Sequence, residues 1–478
     1  RAKEIGVRKV VGAVRQSLVG QFLSESVLIS IISLIAALGL VHLLLPLFNQ
    51  LTDKKIFIDY TNPLLISGFI GITLLTGLIA GSYPAFFLSS LRAIQVLKDK
   101  LSGGSGANVR KTLVVFQFSL SVILIICALI VYRQIEYMRE KDLGFDKENV
   151  FYIRASDHLN KNFASFKQQL SNYPGIRSVT RAADEPMNIQ NGLELADDGW
   201  RGKRKEDNVA FQWLKCDHDF LSAFNFEFVE GRNFSTGFPV DSNNYMINEE
   251  AAKRMRFNSP VGEILKIIHK GTIIGVVKDF HSAGLNQPIQ PVIISISPSE
   301  SNQFFVHYEP GKLTEAMDYA IAVYKKLEPD FPMEYTFLDD TFDTQYKNEI
   351  LIEKLSTAFM AIAVFISCLG LFGLSSFTAE RRVKEIGIRK ILGATVSQLI
   401  TLLCRDFVVL VVIALVIGFP IAWWFGNQFL ASYAFRTEMS IFIFVITGGS
   451  LLLIALLTVS YQSSKAARNN PVNSLRSE

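Results

Sequence analysis

Six long stretches without Asp, Glu, Lys or Arg dominate this sequence of 478 residues. Each one contains roughly 20 or more mostly apolar residues, which is the length that an α-helix needs to cross the hydrocarbon core of a bilayer. We therefore predict six transmembrane helices. They cover residues 26–52, 60–91, 112–132, 355–379, 407–435 and 439–464.

A seventh uncharged stretch, residues 280–299, is predicted to lie in a soluble region instead, because it carries Pro288, Pro291 and Pro298. It belongs to segment 133–354, which holds 26 Lys and Arg against 34 Asp and Glu, whereas the rest of the chain holds 22 against 10. With 49% hydrophobic and only 19% charged residues, the composition excludes a disordered chain and a typical soluble enzyme. An acidic soluble domain and an apolar body with basic edges are expected.

The distribution of Lys and Arg predicts how the helices are oriented. Nineteen of these residues lie on four short segments, 1–16, 92–111, 380–406 and 462–478. The opposite connections carry only Lys54, Lys55 and Arg436. Because Lys and Arg are enriched in cytoplasmic loops, both ends are expected inside the cell and segment 133–354 outside it.

An internal repeat is the most informative feature of the chain. RAKEIGVRKVVGA at 1–13 recurs as RVKEIGIRKILGA at 382–394, with nine identities in thirteen positions. Two predicted spans and a basic tail follow each copy, but only the second copy is preceded by a span, an external domain and another span. By the logic of repeats, a block of about 270 residues is expected upstream. On this interpretation the chain is the carboxy-terminal portion of a longer protein.

Both copies have the pattern of an amphipathic cytoplasmic helix, with apolar residues on one face and Glu–Arg pairs four residues apart on the other. In the second copy the apolar face contains Ile388, Ile391, Leu392, Val396 and Leu399. Glycines, Gly393 among them, would let another backbone approach. One copy alone would suggest a basic membrane anchor, whereas two matched copies favour docking to a cytoplasmic partner. The predicted docking residues are Lys3, Glu4, Gly6, Arg8, Lys9, Lys384, Glu385, Gly387, Arg389 and Lys390.

Segment 133–354 is predicted to form one large α+β domain. Its first strand–helix–strand pattern covers 150–154, 159–170 and 176–182, and its second covers 304–308, 313–327 and 334–338. An inserted, mostly β subdomain is expected at 183–302, with strands at 212–216, 227–230 and 272–277. Residues 132–143 and 342–355 are expected to continue the third and fourth spans as a helical stalk.

The sequence offers no catalytic or nucleotide-binding motif. The nearest match to a phosphate loop, at 103–112, lacks the glycine before its lysine and follows no strand, so a flexible linker is expected there. Neither the cluster at 217–219 nor the pair of Asp279 and His281 has the spacing of a dedicated metal site, and Cys216 has no disulfide partner outside the membrane. We expect neither enzyme activity nor a cofactor or metal in this chain.

The order of span, external domain, span, motif and two further spans resembles that of the MacB/FtsX-like permeases of ATP-binding-cassette (ABC) systems. The motif R-x-x-E-I-G-[VI]-R-K-x-x-G-A occurs at 1–13 and 382–394. VGEILKIIHKGTIIGVVKDFHSAGLNQPIQPVI at 261–293 is similar to the family's periplasmic core, and NPVNSLR at 470–476 is similar to its ending. The resemblance covers essentially the entire chain, which departs from it in lacking an attached ATPase and the first span–domain block.

The resemblance implies a permease subunit of the bacterial inner (cytoplasmic) membrane that docks a separate ABC ATPase, in dimeric form, through both motif copies. ATP-driven closure would move the external domain through the spans and stalk. One function that this allows is export or extraction of an amphipathic substrate. The alternative is regulation of an extracytoplasmic partner such as a cell-wall hydrolase. The lipid bilayer, a periplasmic adaptor and a lipoprotein are further expected partners, and nucleic acid is not.

The predicted fold class is a polytopic α-helical membrane protein with six spans and one large α+β extracytoplasmic domain. In chain order we expect a coupling motif at 1–16, two spans at 17–91, a cytoplasmic linker at 92–111, a span at 112–132, the external domain at 133–354, a span at 355–379, the second coupling motif at 380–406, two spans at 407–464 and a cytoplasmic tail at 465–478.

Overall fold

A computed structural model describes residues 14–90, 105–382, 385, 388, 389 and 391–468. The chain divides into two units. The first contains Arg1–Leu120, Ala363–Ala414 and Leu452–Glu478, and the second contains Ser121–Ile362 and Leu415–Leu451.

Among the described residues, three long helices precede a segment of strands and shorter helices, and three long helices follow it. The helices are α1 Arg15–Thr52, α2 Pro63–Ser90, α3 Ser105–Glu140, α4 Asp157–Lys161, α5 Phe163–Ser171, α6 Phe220–Ala223, α7 Glu249–Met255, α8 Leu313–Leu327, α9 Leu338–Gln345, α10 Lys347–Arg381, α11 Val396–Leu430 and α12 Ile441–Arg468. The strands are β1 Val150–Arg154, β2 Ile176–Ala182, β3 Gly192–Glu194, β4 Ala210–Cys216, β5 Phe228–Gly231, β6 Tyr245–Asn248, β7 Ile264–Lys266, β8 Lys270–Val277, β9 Val292–Ile296, β10 Gln303–Tyr308 and β11 Tyr335–Phe337.

Six helices in the described ranges are long and apolar enough to cross a membrane, which confirms the predicted six spans. They are α1, α2, α3, α10, α11 and α12. Two boundaries differ from the prediction. Helix α3 begins at Ser105, so 105–111 is helical rather than a flexible linker, because extending an existing helix costs less than starting one. Helix α11 ends at Leu430, and residues 431–435 belong to the connection that follows it.

Small residues set the contact between α1 and α2 in the first unit. A Cβ atom added at Gly77 would lie only 2.8 Å from the backbone Cα of Val27, and one added at Gly81 would lie 2.8 Å from Ser26 Cβ. Gly71, on the same helix, has no atom within 4 Å of such a Cβ. The two helices therefore approach closely along one face of α2 only, as is common for small residues four apart in membrane helices.

The second unit contains one sheet of eleven strands. Its order is β11-β1-β10-β2-β4-β9-β6-β8-β5, with β3 also paired to β4 and β7 to β8. The four strands at the β11 end are antiparallel to their neighbours. Helices α5 and α8 contribute Phe166, Leu170 and Ala320 to a core shared with Phe304 of β10. Both predicted strand–helix–strand pieces are thus confirmed as parts of one layer.

Two details of that layer differ from the prediction. The helix expected at 159–170 is divided into α4 and α5, because Asn162 leaves helical geometry with φ −97° and ψ 16°. The strands of the expected insertion at 183–302 continue the same sheet, joined to it through the pairing of Ala182 with Cys216. The proline-containing stretch at 280–299 forms a loop followed by β9, as predicted.

The end of α3 is part of the hydrophobic core of the α+β domain. Val131, Ile135 and Met138 are nearly inaccessible to solvent and share one cluster with Phe145 and Phe280. The second predicted stalk is divided, because the helix breaks at Tyr346 between α9 and α10. The phenol oxygen of Tyr346 accepts a hydrogen bond from the Leu285 amide at 2.6 Å, so the residue at the break also holds the loop that contains Leu285.

A buried carboxylate organises the loop before β6. Asp241 is fully buried and forms a two-pronged ion pair with Arg232, whose two terminal nitrogens lie 2.6 and 2.8 Å from its oxygens. The Ser235 amide donates a third bond at 3.0 Å. Hydrogen bonding to the Arg232 guanidinium lowers the pKa of Asp241, because these bonds favour the charged carboxylate.

Candidate functional site

The second copy of the repeated motif supplies the predicted site residues that the structure describes. Arg389 Nη2 lies 2.8 Å from Glu385 Oε1, four residues away, in the order that favours a helix. The Leu392 amide donates to the Ile388 carbonyl at 3.0 Å, as in a helical turn. Both charged side chains are close to half exposed, at 44% for Glu385 and 47% for Arg389, so they present a polar face to the surroundings.

The other predicted docking residues lie outside the described residues. These are Lys3, Glu4, Gly6, Arg8 and Lys9 of the first copy and Lys384, Gly387 and Lys390 of the second. Their roles stay predictions.

Apolar side chains beside the Glu385–Arg389 pair are also exposed. The exposed fraction is 51% for Ile388, 63% for Ile391 and 80% for Leu392. Leu399, which the sequence places on the same stripe, is instead buried against Leu403. The stripe therefore divides into an exposed part before the turn and a buried part after it. Large apolar side chains that face outward in this way are typical of contact with lipid or another protein.

A glycine turn and a capping box join this segment to α11. Gly393 has φ +91°, and the Ala394 amide donates to the Arg389 carbonyl at 2.9 Å. Thr395 Oγ1 then accepts from the Gln398 amide at 3.3 Å, while Gln398 Oε1 accepts from the Thr395 amide at 3.0 Å. A Cβ at Gly393 would meet no atom of this chain within 4 Å, so within the chain the glycine serves the left-handed turn, and the close approach of a partner's backbone stays a prediction.

An ion pair that was not predicted from the sequence joins the start of the motif to α11. Arg382 Nη2 lies 2.9 Å from Asp406 Oδ2. The repeat itself held the signal, since the residue corresponding to Asp406 in the first copy is Glu25, also an acid. The two copies also bury the same positions: Leu18 and Phe22 correspond to Leu399 and Leu403, and all four are nearly inaccessible.

The ionisable groups considered for chemistry in the α+β domain are occupied by structural contacts. Asp217 is buried and accepts a hydrogen bond from the Thr180 hydroxyl, and burial raises its pKa. Asp279 accepts from the Asn248 side chain at 2.9 Å and from the Glu250 amide at 2.8 Å. Cys216 is fully buried, which raises the pKa of its thiol. A deprotonated, accessible nucleophile is therefore not available at Cys216.

Two histidines of this domain are held neutral. Burial lowers the pKa of His281 and of His307 to about 4. The His281 ring packs against the edge of Phe435, with ring centroids 4.5 Å apart. Within the residues described, no group of three or more His, Cys, Asp or Glu side chains is arranged to hold a metal ion.

These helices and this sheet define a multi-pass helical membrane protein with one large α+β domain. The sequence matches two family models, "FtsX-like permease C-terminal" at residues 1–93 and 357–471 and "MacB-like periplasmic core domain" at residues 115–323. The chain therefore belongs to the MacB/FtsX-like family of ABC transporter permeases, which confirms the resemblance seen in the motifs.

Two curated proteins with similar sequences are named as permeases. Over 119 residues the chain is 32% identical to the uncharacterized ABC transporter permease YknZ of Bacillus subtilis (strain 168), a match covering 24% of this chain and 30% of that protein. Over 236 residues it is 21% identical to the macrolide export ATP-binding/permease protein MacB of Bdellovibrio bacteriovorus, covering 46% of this chain and 36% of that protein. The chain thus spans well under half of the length of either relative.

Solved structures that are similar to part of this chain include domains of MacB and YknZ proteins. The periplasmic region of MacB from Actinobacillus actinomycetemcomitans has a TM-score of 0.30 and 16% identity, covering 43% of this chain and 96% of that one. The extracellular domain of the noncanonic ABC-type transporter YknZ from Gram-positive bacteria has a TM-score of 0.28 and 13% identity, covering 39% and 96%. TM-scores at this level carry no argument about the fold.

Proposed function

We propose that this chain is the permease subunit of an ABC transport system in the inner membrane of a bacterium, powered by a separate ATPase. ATP hydrolysis inside the cell would displace the spans, and the spans would move the α+β domain outside it to export or extract an amphipathic substrate. The observation that carries the proposal is that α3 ends inside the core of that domain, with Val131, Ile135 and Met138 among its buried residues.

Helix α3 is suited to transmit force along its length, because it is one uninterrupted helix. It is continuous over 36 residues, which corresponds to a length of about 54 Å, well beyond the 30 Å or so of a hydrocarbon core. Its last turns are closely packed, and dense protein interiors transmit displacement instead of absorbing it. A push on the membrane part of α3 would therefore be passed to the sheet. This supports mechanical coupling across the membrane.

The segment around Glu385 and Arg389 is proposed to receive the ATPase. The exposed Ile391 and Leu392 would supply apolar contact area, and the charged pair would select the partner and its register. Stability gives no strong reason for the pair, since exposed ion pairs contribute about 0–1 kcal/mol. The first copy is proposed to dock in the same way through Glu4 and Arg8.

Transport of substrate is proposed to occur outside the membrane. The six predicted spans contain no Asp, Glu, Lys or Arg that would line a polar path between them. The name of the Bdellovibrio relative describes an export protein, which favours export over regulation for this chain as well.

ATP hydrolysis by the complex of the full-length protein with its ATPase, in lipid nanodiscs, tests the docking assignment. We expect Glu385→Lys to reduce the permease-dependent part of the hydrolysis rate by at least about ten-fold, because charge reversal at an interface costs several kcal/mol and each 1.4 kcal/mol is a factor of about ten. Asp330→Lys is the matched control, since Asp330 is exposed and lies in the α+β domain. Equal rates for Glu385→Lys and the unaltered protein would overturn the assignment.

A charge swap separates docking from helix stabilisation. The double variant Glu385→Arg with Arg389→Glu keeps an ion pair within the helix and reverses both charges as seen by a partner. If the pair contacts the ATPase, the double variant stays as impaired as the single one. Full recovery of hydrolysis would show that the pair acts only within its own helix.

A further inference from the structure

The connection between α11 and α12, residues 431–440, forms hydrogen bonds with two other segments of the second unit. The Phe435 amide donates to the Leu285 carbonyl at 3.4 Å, and the Ala434 amide donates to the Asn286 carbonyl at 3.3 Å. The Phe435 carbonyl accepts a bond from the Gln134 side chain at 2.8 Å. One short connection therefore holds both the end of α3 and a loop of the α+β domain.

Gln134 satisfies both ends of its side-chain amide in this contact. Its Nε2 donates to the Phe435 carbonyl, and its Oε1 accepts from the Thr437 amide at 2.9 Å. Gln134 is completely inaccessible to solvent. In the sequence it follows Val131 and precedes Ile135, which are both core residues. Because an unpaired buried amide is costly, a glutamine at this position is stable only while the connection stays in place.

The loop on the other side, residues 281–286, is itself fixed to the sheet domain. The Leu285 amide donates to the Tyr346 phenol at 2.6 Å, and the Ile189 amide donates to the Ser282 carbonyl at 3.0 Å. The His281 ring packs on Phe435. A displacement of the connection would consequently be passed to this loop and to the break between α9 and α10.

We propose that Gln134 is a positioning residue that fastens the α11–α12 connection to the α+β domain. In this arrangement α11 and α12 transmit motion to the domain through the loop at 281–286, in addition to the direct routes through α3 and α10. The inference rests on the proposed function, because it assigns a further coupling route to the same machine. The contact itself is independent of that function and is tested separately.

Disulfide formation measures whether the contact depends on Gln134. Asn286→Cys and Ala434→Cys are introduced into full-length protein whose four native cysteines are replaced by alanine, in native membrane vesicles. A disulfide requires Cα atoms about 4.4–6.8 Å apart, and the backbones of these two residues are in direct contact through the bond from the Ala434 amide to the Asn286 carbonyl at 3.3 Å. We expect rapid copper-phenanthroline oxidation in this background, and oxidation about ten-fold slower after Gln134→Met, which keeps the length of the side chain but loses both bonds.

Thr437→Val is the matched control. It removes only a long 3.4 Å contact of the Thr437 hydroxyl and keeps the backbone donor. Its oxidation rate should stay within about two-fold of the starting pair. If Gln134→Met does not accumulate in the membrane, Gln134→Leu replaces it, since leucine also has neither the acceptor for Thr437 nor the donor to Phe435. Oxidation at the starting rate in whichever Gln134 variant accumulates would overturn the assignment.

Hydrogen exchange tests the coupling role with the ATPase complex. ATP with orthovanadate is the probe, and protection of the 281–286 backbone is the readout. We expect Gln134→Met to remove most of the nucleotide-dependent change there while leaving exchange in β4 and β9 unaltered, which a general loss of stability would not do. An undiminished change in the variant would overturn the coupling role. If the unaltered complex shows no nucleotide response, the proposed function fails, and the disulfide rates still decide whether Gln134 holds the connection.

Discussion

Replacing Gly144 by alanine tests how α3 is joined to the α+β domain. Gly144 follows α3 with φ +85°, and a Cβ there would lie 2.8 Å from Phe280 Cβ and 3.0 Å from Phe280 Cα. The left-handed backbone costs a non-glycine residue about 1–2 kcal/mol. Overpacking against backbone that cannot yield adds about 1–3 kcal/mol. We therefore expect Gly144→Ala to lower the free energy of unfolding of the domain by about 2–5 kcal/mol.

Gly202 supplies the matched control for the conformational part. It has φ +86°, and a Cβ there would meet no atom within 4 Å, so Gly202→Ala should cost only about 1–2 kcal/mol. The assay is thermal unfolding of the full-length protein in detergent, followed by a thiol-reactive fluorophore at Cys216, with the other three cysteines replaced by alanine. Cys216 shares a core cluster with Phe280 and reacts only when that core opens. Equal midpoint shifts for the two variants would refute the packing argument at Gly144.

Three further predictions use the same full-length protein. Asp241→Asn should cost about 2 kcal/mol near neutral pH, where the ion pair is intact. Because the pKa of Asp241 is lowered on folding, its contribution is present above the unfolded pKa of about 3.9 and is lost as the pH falls below it, so the variant should show a flatter acid limb in unfolding midpoints. His307 is neutral when folded, with a pKa of about 4, so stability should fall by up to about 1.4 kcal/mol per pH unit between pH 6.5 and 4 as the unfolded chain takes up protons; His307→Phe should remove that share of the slope. Gly77→Ala should speed hydrogen exchange in α1 and α2, since backbone has to move to accommodate the methyl group, whereas Gly71→Ala should leave exchange unchanged or slower; equal behaviour would contradict the close contact.

Strong periodic signals in the sequence were sufficient for most of the fold. The six spans follow from uncharged length. Strands β1 and β2 have the predicted bounds, because short runs that contain β-branched and aromatic residues are recognisable as strands even where their burial does not alternate. The order of the sheet could not be read from one sequence. It depends on the pairing of residues far apart in the chain, such as Val150 with His307. The break at Tyr346 was missed for the same reason, because a distant backbone amide on Leu285 holds it.

The charged residues of the candidate site were predictable from the sequence, but the hydrogen bonds that hold neighbouring segments in place were not. The Glu385–Arg389 pair follows from four-residue spacing. The capping box at Thr395 and Gln398 is visible in the sequence as a Thr-x-x-Gln pattern, although it was not among the predicted features. Gln134 gave no signal at all, since a lone glutamine beyond a predicted span looks like any solvated residue until its partners on a distant connection are known.

A comparison of the two copies favours docking over anchoring as the reason for the repeat. The starts of α1 and α11 bury equivalent apolar residues, but only α11 has a side-chain cap, because Val14 stands where the second copy has Thr395. A cap contributes about 1 kcal/mol to the start of a helix, yet the two copies do not share it. They do share the Glu and Arg of the motif, although in the second copy that pair is half exposed and contributes less than about 1 kcal/mol. Charges that are repeated where stability gains little support the proposal that both copies contact a surface outside the chain.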